Sequence, residues 1–589
     1  MLTKNQFTVL ADILEHGKRV QREIAQDSGI SLGSVNAAIR SCRAAGLISK
    51  DGDVTESGIA ALEPYKVENA VIMAAGMSTR FAPISYERPK GVLRVKGEVL
   101  IERQIRQLQE AGINDIIVVV GYMKEQFFYL EDKFGVTIRI NEEYATRNNN
   151  STLMLVREHL GNTYVCSSDD YFTENPFEPY VYKAYYAAAY FPGKTNEYCL
   201  TTGAGGRITK VSFGGEDAYG MLGHVYFDRA YSRKFVEILE AEYDQLDTAS
   251  KLWEDIYAEH VGELDMVMRP YEDGVLNEFD SLDDLAAFDP HFIENVDSAI
   301  LDNICETLEV KRTDISGIKP ISQGLTNLSF SFVADGQAYV YRHPGAGTDE
   351  IINRASETFS QQIGYRLGLD DTYVYENPEK GWKISRYIEG ADELDYHDEA
   401  QLAKAMEMAR TLHGCGEVSE FAFNVHENTK ELIGFLDDKH RSSFADFKPL
   451  FELIDGLAQF VAADGTEPCL CHNDFYAPNF LVTPEHMYLI DWEYSGMSDY
   501  ASDLGTFICC SDYTYEEAVH VLEVYFQRTP TAAELAHCLS YIAISSYYWF
   551  IWALYKDACG APVGEWLYLW YKNAKVFGQK AREVVDSLS

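Results

Sequence analysis

The sequence predicts a multidomain protein of mixed α/β and α+β class. Its 589 residues exceed what one hydrophobic core holds and suggest about three or four domains. Buried strands alternate with a helix between Asn69 and Tyr122, which is typical of a parallel α/β sheet. A second strand-rich stretch starts at Gly317, and the pattern becomes mostly helical after Gln401, as in a two-lobed α+β domain. We therefore divide the chain into residues 1–66, 67–295 and 296–589.

Residues 1–66 have the pattern of a winged helix-turn-helix. One helix is predicted within Gln21–Ile30, and a second begins after a Ser31 N-cap and stops at Gly46. Ser49–Gly58 is expected to form the β-hairpin wing. The second helix of this fold can enter a DNA major groove, but the segment carries eight Lys+Arg and eight Asp+Glu. DNA affinity depends on neutralising phosphates, so a nucleic-acid partner stays open and a regulatory or protein-contact role is favoured.

The composition limits the classes of protein to consider. A net charge of −42 argues against a general polyanion binder. The cysteines include Cys469-x-Cys471 and Cys509–Cys510 but no C-x-x-C, so the sequence offers neither a disulfide framework nor a zinc motif. The apolar run Tyr541–Tyr555 is too short for a membrane span. We expect a cytoplasmic protein without a membrane partner, and the oligomeric state is left open.

A first candidate nucleotide site lies in Met73–Leu93, where a buried strand ends in a glycine turn. Gly76 lets backbone N–H groups approach a triphosphate. Arg80 could neutralise the phosphates that leave as pyrophosphate, and Lys90 could hold the α-phosphate or the phosphate of the acceptor. Ser78-Thr79 adds hydroxyl groups to the same turn.

These residues resemble the signature of the nucleotidyltransferase family that acts on sugar phosphates and phosphocholine. The resemblance implies two magnesium-binding carboxylates, Asp169 after the strand in Tyr164–Phe172 and Asp280 in Leu276–Leu285. The segments Arg147–Leu155, with Asn149, and Lys251–Tyr257 are most similar to CTP:phosphocholine cytidylyltransferases. Hexose-1-phosphate transfer is the alternative for this domain.

A trimethylammonium group would be attracted to aromatic faces in this domain. We expect Trp253 and Tyr171 to be candidate walls for it. The alternative for Trp253 is the buried face of an amphipathic helix.

A second candidate nucleotide site lies in His472–Tyr494. Asp474 and Asn479 are separated by four residues, as in the catalytic loop of kinases, and Asp491 follows an apolar strand. In that pattern Asp474 accepts or orients the proton of the substrate hydroxyl, while Asn479 and Asp491 hold Mg²⁺ on ATP. His472 is expected to brace the loop.

The order of these residues resembles the choline kinase and aminoglycoside phosphotransferase family. The resemblance implies that Ile321–Phe332 is the phosphate-covering hairpin and that Arg342 on the third strand binds nucleotide phosphate. Glu357 is then the ion-pair partner of Arg342, and Asp503 braces the catalytic loop. The fold implied is a kinase-like bilobal phosphotransferase.

The last region carries aromatic residues at helical spacing. Trp549 and Trp552 are three apart and share a helix face, and Trp566 and Trp570 follow. A box of tryptophans suits a quaternary ammonium, which cannot donate N–H hydrogen bonds. A helix core is the alternative for such a stripe.

The two resemblances imply consecutive reactions. Choline and ATP would give phosphocholine, and phosphocholine and CTP would give CDP-choline and pyrophosphate, with Mg²⁺ at both sites. We keep three alternatives: ethanolamine as the acceptor, a sugar-1-phosphate nucleotidyltransferase fused to an aminoglycoside-type kinase, and a winged-helix regulator that senses choline metabolites.

Overall fold

The computed structural model describes residues 1–321, 327–345, 352–436, 441, 443–559 and 563–588. The chain forms two compact units, Met1–Asn303 and Ile304–Ser589. The helix Ala299–Leu308 runs through the division between them. None of the described helices combines the length and the hydropathy that a membrane crossing requires.

The first unit begins with a helical head. Its helices are Lys4–His16, Gln21–Ser28, Leu32–Ala44 and Glu56–Leu62. Ser31 caps the third of these, as the sequence predicted, and Gly29 ends the second in a left-handed conformation. The wing differs from the prediction. Only a single β-bridge joins Ile48 to Val54, and Thr55 already caps the next helix, because its side chain accepts a hydrogen bond from the Gly58 N–H.

The head packs on the domain that follows it. The Tyr65 and Tyr182 rings stack with centroids 5.5 Å apart, and Phe7 lies 5.4 Å from Tyr182. The backbone N–H of Leu2 also donates to the Tyr65 hydroxyl. The apolar core of the head therefore continues into the transferase body, and whether residues 1–66 fold separately stays a prediction.

A seven-stranded sheet forms the body of the first unit. In spatial order its strands are Val267–Pro270, Tyr185–Thr202, Ile208–Phe227, Thr163–Ser167, Asn69–Ala74, Ile116–Val120 and Thr137–Ile140. The four strands at the Thr137–Ile140 side are parallel, as predicted, whereas the long hairpin formed by Tyr185–Thr202 and Ile208–Phe227 joins them antiparallel. The sheet is thus mixed rather than purely parallel. The two strands of a hairpin run antiparallel to each other, so one of them must oppose the direction of the parallel strands.

Helices and short strands cover this sheet. The helices are Leu100–Glu110, Tyr129–Phe134, Asn150–Leu155, Arg229–Glu242, Trp253–Glu259, Leu282–Phe288 and Phe292–Asn295. The short strands are Arg94–Val95, Glu98–Val99, Asp170–Phe172 and Leu276–Glu278. The last two pair antiparallel, and this pairing brings the segments that carry Asp169 and Asp280 together across the fold.

The second unit has a β-lobe and a helical lobe. The five-stranded antiparallel sheet follows the order Ile315–Ile321, Asn327–Ala334, Gln337–Pro344, Trp382–Arg386 and Tyr373–Asn377. Its helix is Arg354–Arg366, and the helical lobe contains Glu399–His413, Val425–Phe435, Phe447–Ala463, Tyr500–Cys509, Tyr515–Phe526, Ala532–Ala558 and Glu565–Leu588. The short strands Asp392–Glu393, Cys469–Cys471, Phe480–Val482, Met487–Leu489 and Gly496–Ser498 carry the loop predicted to be catalytic.

Candidate active sites

A cavity of about 570 Å³ opens at the carboxyl ends of two neighbouring parallel strands, Asn69–Ala74 and Thr163–Ser167. This edge is where ligands bind in open α/β sheets. Six of the predicted nucleotide-site residues line it: Gly76, Ser78, Thr79, Lys90, Asn149 and Asp169. A Cβ added at Gly76 would meet open space, so this glycine leaves room for a ligand rather than for another part of the protein.

Lys90 and Asp169 pair at the floor of the cavity. The Lys90 ammonium lies 2.5 Å from an Asp169 carboxylate oxygen and 4.6 Å from the centre of the Phe81 ring. Only 8% of the lysine side chain and 19% of the aspartate side chain are exposed. The structure thus joins a residue predicted to bind phosphate to one predicted to bind metal.

Arg80 and Asp280 form a second pair of the same kind. Their nearest atoms are 2.9 Å apart, and both side chains are exposed. Glu197, from the long hairpin, shares this region. Burial and the charge of Asp280 raise the pKa of Glu197, while Arg80 opposes the rise. Sequence reasoning missed Glu197, because a hairpin strand carries no signal for which loop it will face.

Asp170, beside Asp169, has a different environment. It is 2% exposed, and its carboxylate accepts a hydrogen bond from the Ser167 N–H. Burial, followed by the charges of Glu278 and Asp169, raises its pKa well above the usual value. Of the adjacent pair, Asp169 is therefore the carboxylate available to a cation.

Trp253 and Tyr171 do not lie where the sequence analysis expected. Trp253 is 1% exposed and stacks on Tyr186 with ring centroids 5.7 Å apart, inside the core. The Arg103 guanidinium lies 4.5 Å from the Tyr171 ring centre and covers one face of the ring, and Tyr171 is 7% exposed. The core alternative for Trp253 is correct, and neither ring lines the cavity.

Asn149 supports the helix that carries Trp253. Its side-chain oxygen accepts a hydrogen bond from the backbone N–H of Trp253 at 2.7 Å, and its side-chain amide donates to the Glu254 carboxylate at 3.1 Å. Burial raises the pKa of Glu254 to about 7. Since both polar ends of Asn149 are engaged, its side chain shapes the cavity wall.

In the second unit, the residues of the predicted catalytic loop lie together. The Asn479 amide donates to the Asp474 carboxylate at 2.8 Å. The Ile490 N–H donates to the Asn479 carbonyl, which brings Asp491 beside the asparagine. Burial and the charge of Asp491 raise the pKa of Asp474 well above the usual value. Asp474, Asn479 and Asp491 therefore lie close together.

Asp503 and His472 hold the predicted catalytic loop in place through hydrogen bonds. The Asp503 carboxylate accepts hydrogen bonds from the N–H groups of His472 and Asn473, at 3.0 and 2.5 Å. Burial lowers the pKa of His472, so the ring is neutral and its Nε2–H donates to the Ile490 carbonyl. Both residues have contacts that fit the bracing roles the sequence analysis gave them.

The ion pair predicted between Arg342 and Glu357 is present at 2.5 Å. Arg354 and Lys383 lie 3.1 and 3.8 Å from the same carboxylate. Burial disfavours the charged form of Glu357, but Arg342 and Lys383 outweigh it and lower the pKa to about 2. Arg342 also lies 3.3 Å from Asp491. Sequence reasoning missed Arg354 and Lys383, which a kinase-type motif does not specify.

Two N–H groups of the Arg342 guanidinium donate no hydrogen bond to another described residue. Its Nε and Nη2 groups are buried and have no hydrogen-bond partner among the described residues, although the Glu376 carboxylate lies 3.9 Å from Nη2. A buried donor without a partner is costly, so these groups are suited to an incoming anion. Residues 322–326 of the predicted phosphate-covering hairpin lie outside the described residues; its remainder belongs to the strands Ile315–Ile321 and Asn327–Ala334.

The tryptophans form one aromatic cluster. Trp549 lies 5.7 Å from Trp552 and 5.8 Å from Trp570, measured between ring centroids. Tyr494, three residues after Asp491, meets Trp549 edge-on at 5.7 Å. Trp549, Trp552 and Trp570 are at most 6% exposed. These three rings are buried, and Trp549 contacts the loop that carries Asp491, so the choline-binding box stays a prediction.

The open side of the cluster is formed by half-buried rings. Trp566 stacks on Trp570 at 5.3 Å and meets Tyr476 edge-on at 6.4 Å. Tyr476 is two residues after Asp474, so the aromatic surface extends to the catalytic loop. Sequence reasoning missed Tyr476 and Tyr494 as members of the cluster.

Three regions match known families. Residues 2–49 match Winged helix-turn-helix DNA-binding, residues 70–176 the MobA-like NTP transferase domain, and residues 317–537 the Phosphotransferase enzyme family. The choline kinase LicA from Streptococcus pneumoniae, a solved structure, is 24% identical with a TM-score of 0.42, over 48% of this chain and all of that one.

Two curated relatives match the first unit. The 2-aminoethylphosphonate cytidylyltransferase of Lancefieldella rimae is 34% identical over 38% of this chain and 93% of its own length. The choline-phosphate cytidylyltransferase of Streptococcus pneumoniae is 34% identical over 36% of this chain and 94% of its own. The chain therefore belongs to the cytidylyltransferase family of nucleotidyltransferases, and it joins that transferase to a winged helix and to a domain of the phosphotransferase enzyme family.

Proposed function

We propose that this chain makes CDP-choline in two steps, first phosphorylating choline with ATP and then transferring CMP from CTP to the phosphocholine. The observation that carries the proposal is the aromatic cluster that adjoins Asp474. It provides a surface for a quaternary ammonium next to a group that can accept a hydroxyl proton. A cytidylyltransferase on the same chain would then use the phosphate ester.

In the kinase step, the choline hydroxyl oxygen attacks the γ-phosphorus of ATP, and ADP leaves. Asp474 orients this hydroxyl and takes its proton. Arg342, fixed by Glu357, would direct its Nε and Nη2 groups at the nucleotide phosphates. Positioning and charge stabilisation provide most of the catalysis in phosphoryl transfer.

In the transferase step, a phosphate oxygen of phosphocholine attacks the α-phosphorus of CTP, and pyrophosphate leaves. Arg80 would neutralise the leaving phosphates, and Lys90 the α-phosphate or the attacking phosphate. Both cations are now paired with carboxylates. Substrate phosphates would replace Asp280 and Asp169 as their partners and release both carboxylates for a metal ion.

The donor sets fit Mg²⁺ at both sites. Asn479 uses its amide N–H on Asp474, which leaves the amide oxygen as a ligand beside the partly exposed Asp491. Asp169 and Asp280 provide carboxylate oxygens in the first unit. Mg²⁺ prefers such hard oxygen donors together with substrate phosphates, and it would offset the charge that develops on the transferring phosphoryl groups.

Three possible acceptors are compared: choline, ethanolamine and 2-aminoethylphosphonate. A 2-aminoethylphosphonate molecule has a carbon–phosphorus bond, which phosphorylating a hydroxyl cannot produce, so the kinase domain favours a phosphate ester as the intermediate. Ethanolamine has an ammonium group whose three N–H bonds need hydrogen-bond acceptors, whereas the half-buried border of the cluster consists of the aromatic rings of Trp566 and Tyr476. Choline fits this surface better.

The head has a role distinct from catalysis. Its charges balance, and it shares an apolar core with the transferase body. We therefore propose a regulatory or protein-contact role for residues 1–66 rather than DNA binding.

One assay tests the function. The purified chain is incubated with ATP, CTP and Mg²⁺ and with choline, ethanolamine, 2-aminoethylphosphonate, an aminoglycoside or a hexose-1-phosphate, and the products are identified. We expect phosphocholine and CDP-choline from choline. Turnover of only an aminoglycoside and a hexose-1-phosphate would contradict the proposal, as would the absence of turnover with any acceptor.

A further inference from the structure

A cluster of metal-ligating side chains lies behind the catalytic loop of the second unit. One ligand atom each from His413, Cys469 and Cys471 can be chosen so that all three lie within 4.8 Å of one another. The helix Glu399–His413 contributes the histidine, and the strand that leads into His472 contributes the two thiols. We propose that these three side chains bind one Zn²⁺ ion that steadies the catalytic loop.

The spacing of the thiols fits a shared metal better than a disulfide. Two thiolates bound tetrahedrally to zinc at about 2.3 Å are about 3.8 Å apart, and Cys469 Sγ lies 3.6 Å from Cys471 Sγ. Residues i and i+2 of a strand have Cα atoms about 6.6 Å apart, which is near the upper end of the disulfide range. The pair is thus already placed for a metal ion, without movement of the strand.

The histidine is held in the orientation that a metal ligand needs. His413 Nε2 lies 3.0 Å from the Asp503 carboxylate. A carboxylate that accepts the N–H of one ring nitrogen fixes the tautomer and leaves the other nitrogen to the metal. That other nitrogen, Nδ1, now lies 2.9 Å from the Tyr525 hydroxyl.

Nδ1 is the ring nitrogen that remains for a metal ion shared with the thiols, because Asp503 already engages Nε2. A metal ion between the thiols and Nδ1 would take the place of the tyrosine O–H hydrogen bond. Cys471 is buried and Cys469 is half-buried, so solvent reaches the site at Cys469.

Zn²⁺ is the metal that this donor set favours. Two thiolates and one imidazole are soft and borderline ligands, which bind zinc and exclude Mg²⁺. The fourth tetrahedral position is left to solvent or to Tyr525. Binding would release the two thiol protons.

Asp503 connects the proposed zinc site to the predicted catalytic loop. Asp503, which orients His413, also accepts the N–H groups of His472 and Asn473 next to Asp474. His413, Cys469 and Cys471 are therefore positioning residues, since none of them touches the reacting groups. The inference does not depend on which acceptor the kinase uses.

The test is metal binding to the full-length, reduced protein. After dialysis against Zn²⁺ with excess Mg²⁺, we expect one tightly held zinc per chain, and Co²⁺ in its place should show thiolate-to-cobalt charge-transfer absorption. Cys469→Ser and Cys471→Ser should each weaken zinc binding by at least about 100-fold. Cys559→Ser, at an exposed cysteine elsewhere in the unit, is the matched control and should bind as the wild type does.

Thermal unfolding gives a second measurement. Zn²⁺ should raise the melting temperature of the wild type and of Cys559→Ser but not of Cys469→Ser, because a ligand stabilises only the state that binds it. Wild-type protein that holds no zinc, a Co²⁺ spectrum without the thiolate band, or equal zinc retention by Cys469→Ser would each overturn the proposal. A cooperative unfolding transition in tryptophan fluorescence, which reports mainly on Ile304–Ser589, shows that the second unit of each variant is folded.

Discussion

Arg80 and Asp280 of the transferase site are exposed over 72% and 47% of their side chains, whereas Arg342 and Glu357 of the kinase site are exposed over 9% and 0%. Both sites hold a cation beside a carboxylate. In the kinase site the Glu357 carboxylate is a structural group, and it also forms ion pairs with Arg354 and Lys383. In the transferase site the carboxylates are themselves the proposed metal ligands. The kinase pair is therefore expected to persist through the reaction, and the transferase pairs to exchange partners.

The largest expected effect separates the two sites. Asp474→Ala should lower the rate of phosphocholine formation by about 10²- to 10⁴-fold, because it removes the proton acceptor, and should leave CDP-choline formation from added phosphocholine unchanged. Asp169→Ala should do the reverse. Both reactions are measured on each variant, so that each activity is the control for the other. A folded variant that loses both activities would refute the two-site arrangement.

The next effect concerns stability. Glu357→Gln should destabilise the second unit by about 3–5 kcal/mol, because it leaves buried cations without their carboxylate. Asp280→Asn should cost less than about 1 kcal/mol, as for an exposed pair, yet still reduce CDP-choline formation. Urea unfolding followed by tryptophan fluorescence measures the first variant, since six of the seven tryptophans lie in Ile304–Ser589.

Glu407→Gln is the matched control for Glu357→Gln. Its partner Lys404 lies 2.8 Å away in the same unit, but both side chains are exposed. If both substitutions cost the same, burial would not distinguish the two kinds of pair.

A smaller effect tests the aromatic surface. Trp566→Leu should raise the KM for choline by about 2- to 30-fold, the equivalent of about 0.5–2 kcal/mol of cation–π energy, and should leave the KM for ATP unchanged. Trp253→Phe, in the core of the first unit, is the counterpart and should leave the KM for phosphocholine unchanged. A choline KM that is unaffected by the Trp566 change would favour the helix-core alternative for the whole tryptophan stripe.

The smallest effect is a pH dependence of stability in the second unit. His537 lies between Asp499 and Asp464, at 2.9 and 2.5 Å. Burial lowers its pKa, but the two carboxylates outweigh burial and raise it above 6.5. The stabilisation is therefore fully present below the unfolded pKa of 6.5 and is lost as pH rises through the folded pKa.

Urea midpoints of the wild type and of His537→Gln between about pH 5.5 and 8.5 measure this effect. The difference between the two proteins should be largest at the acid end. A difference that grows toward alkaline pH would contradict the assignment of a charged histidine.

The local features of both sites could be predicted from sequence. The spacing of Asp474, Asn479 and Asp491 fixes their geometry because a short hairpin connects them, and the Ile490–Asn479 backbone bond closes it. The Ser31 cap and the strand Asn69–Ala74 follow from local propensity and from a continuous apolar run. These features depend on residues that are near one another in the chain.

Features that depend on distant neighbours were not accessible to the same reasoning. Trp253 has the same aromatic character as the half-buried Trp566, yet Tyr186 and the core cover it completely. The wing was predicted from the resemblance of Ser49–Gly58 to a winged helix-turn-helix, but Thr55 caps a helix that begins at Glu56, within that segment. Whether an aromatic ring faces a ligand or a core depends on which other elements pack against it.

The sequence by itself determined the kinds of domain, their order and the candidates for the reacting groups, because strand and helix periodicity and short motifs are local. Only the tertiary structure decided which groups meet: Arg80 with Asp280, Lys383 with Glu357, and His413 with Cys469 and Cys471. The cysteine spacing alone offers no zinc motif, since its histidine comes from a helix far away in the chain. Long-range packing supplies such partners, and no local pattern encodes them.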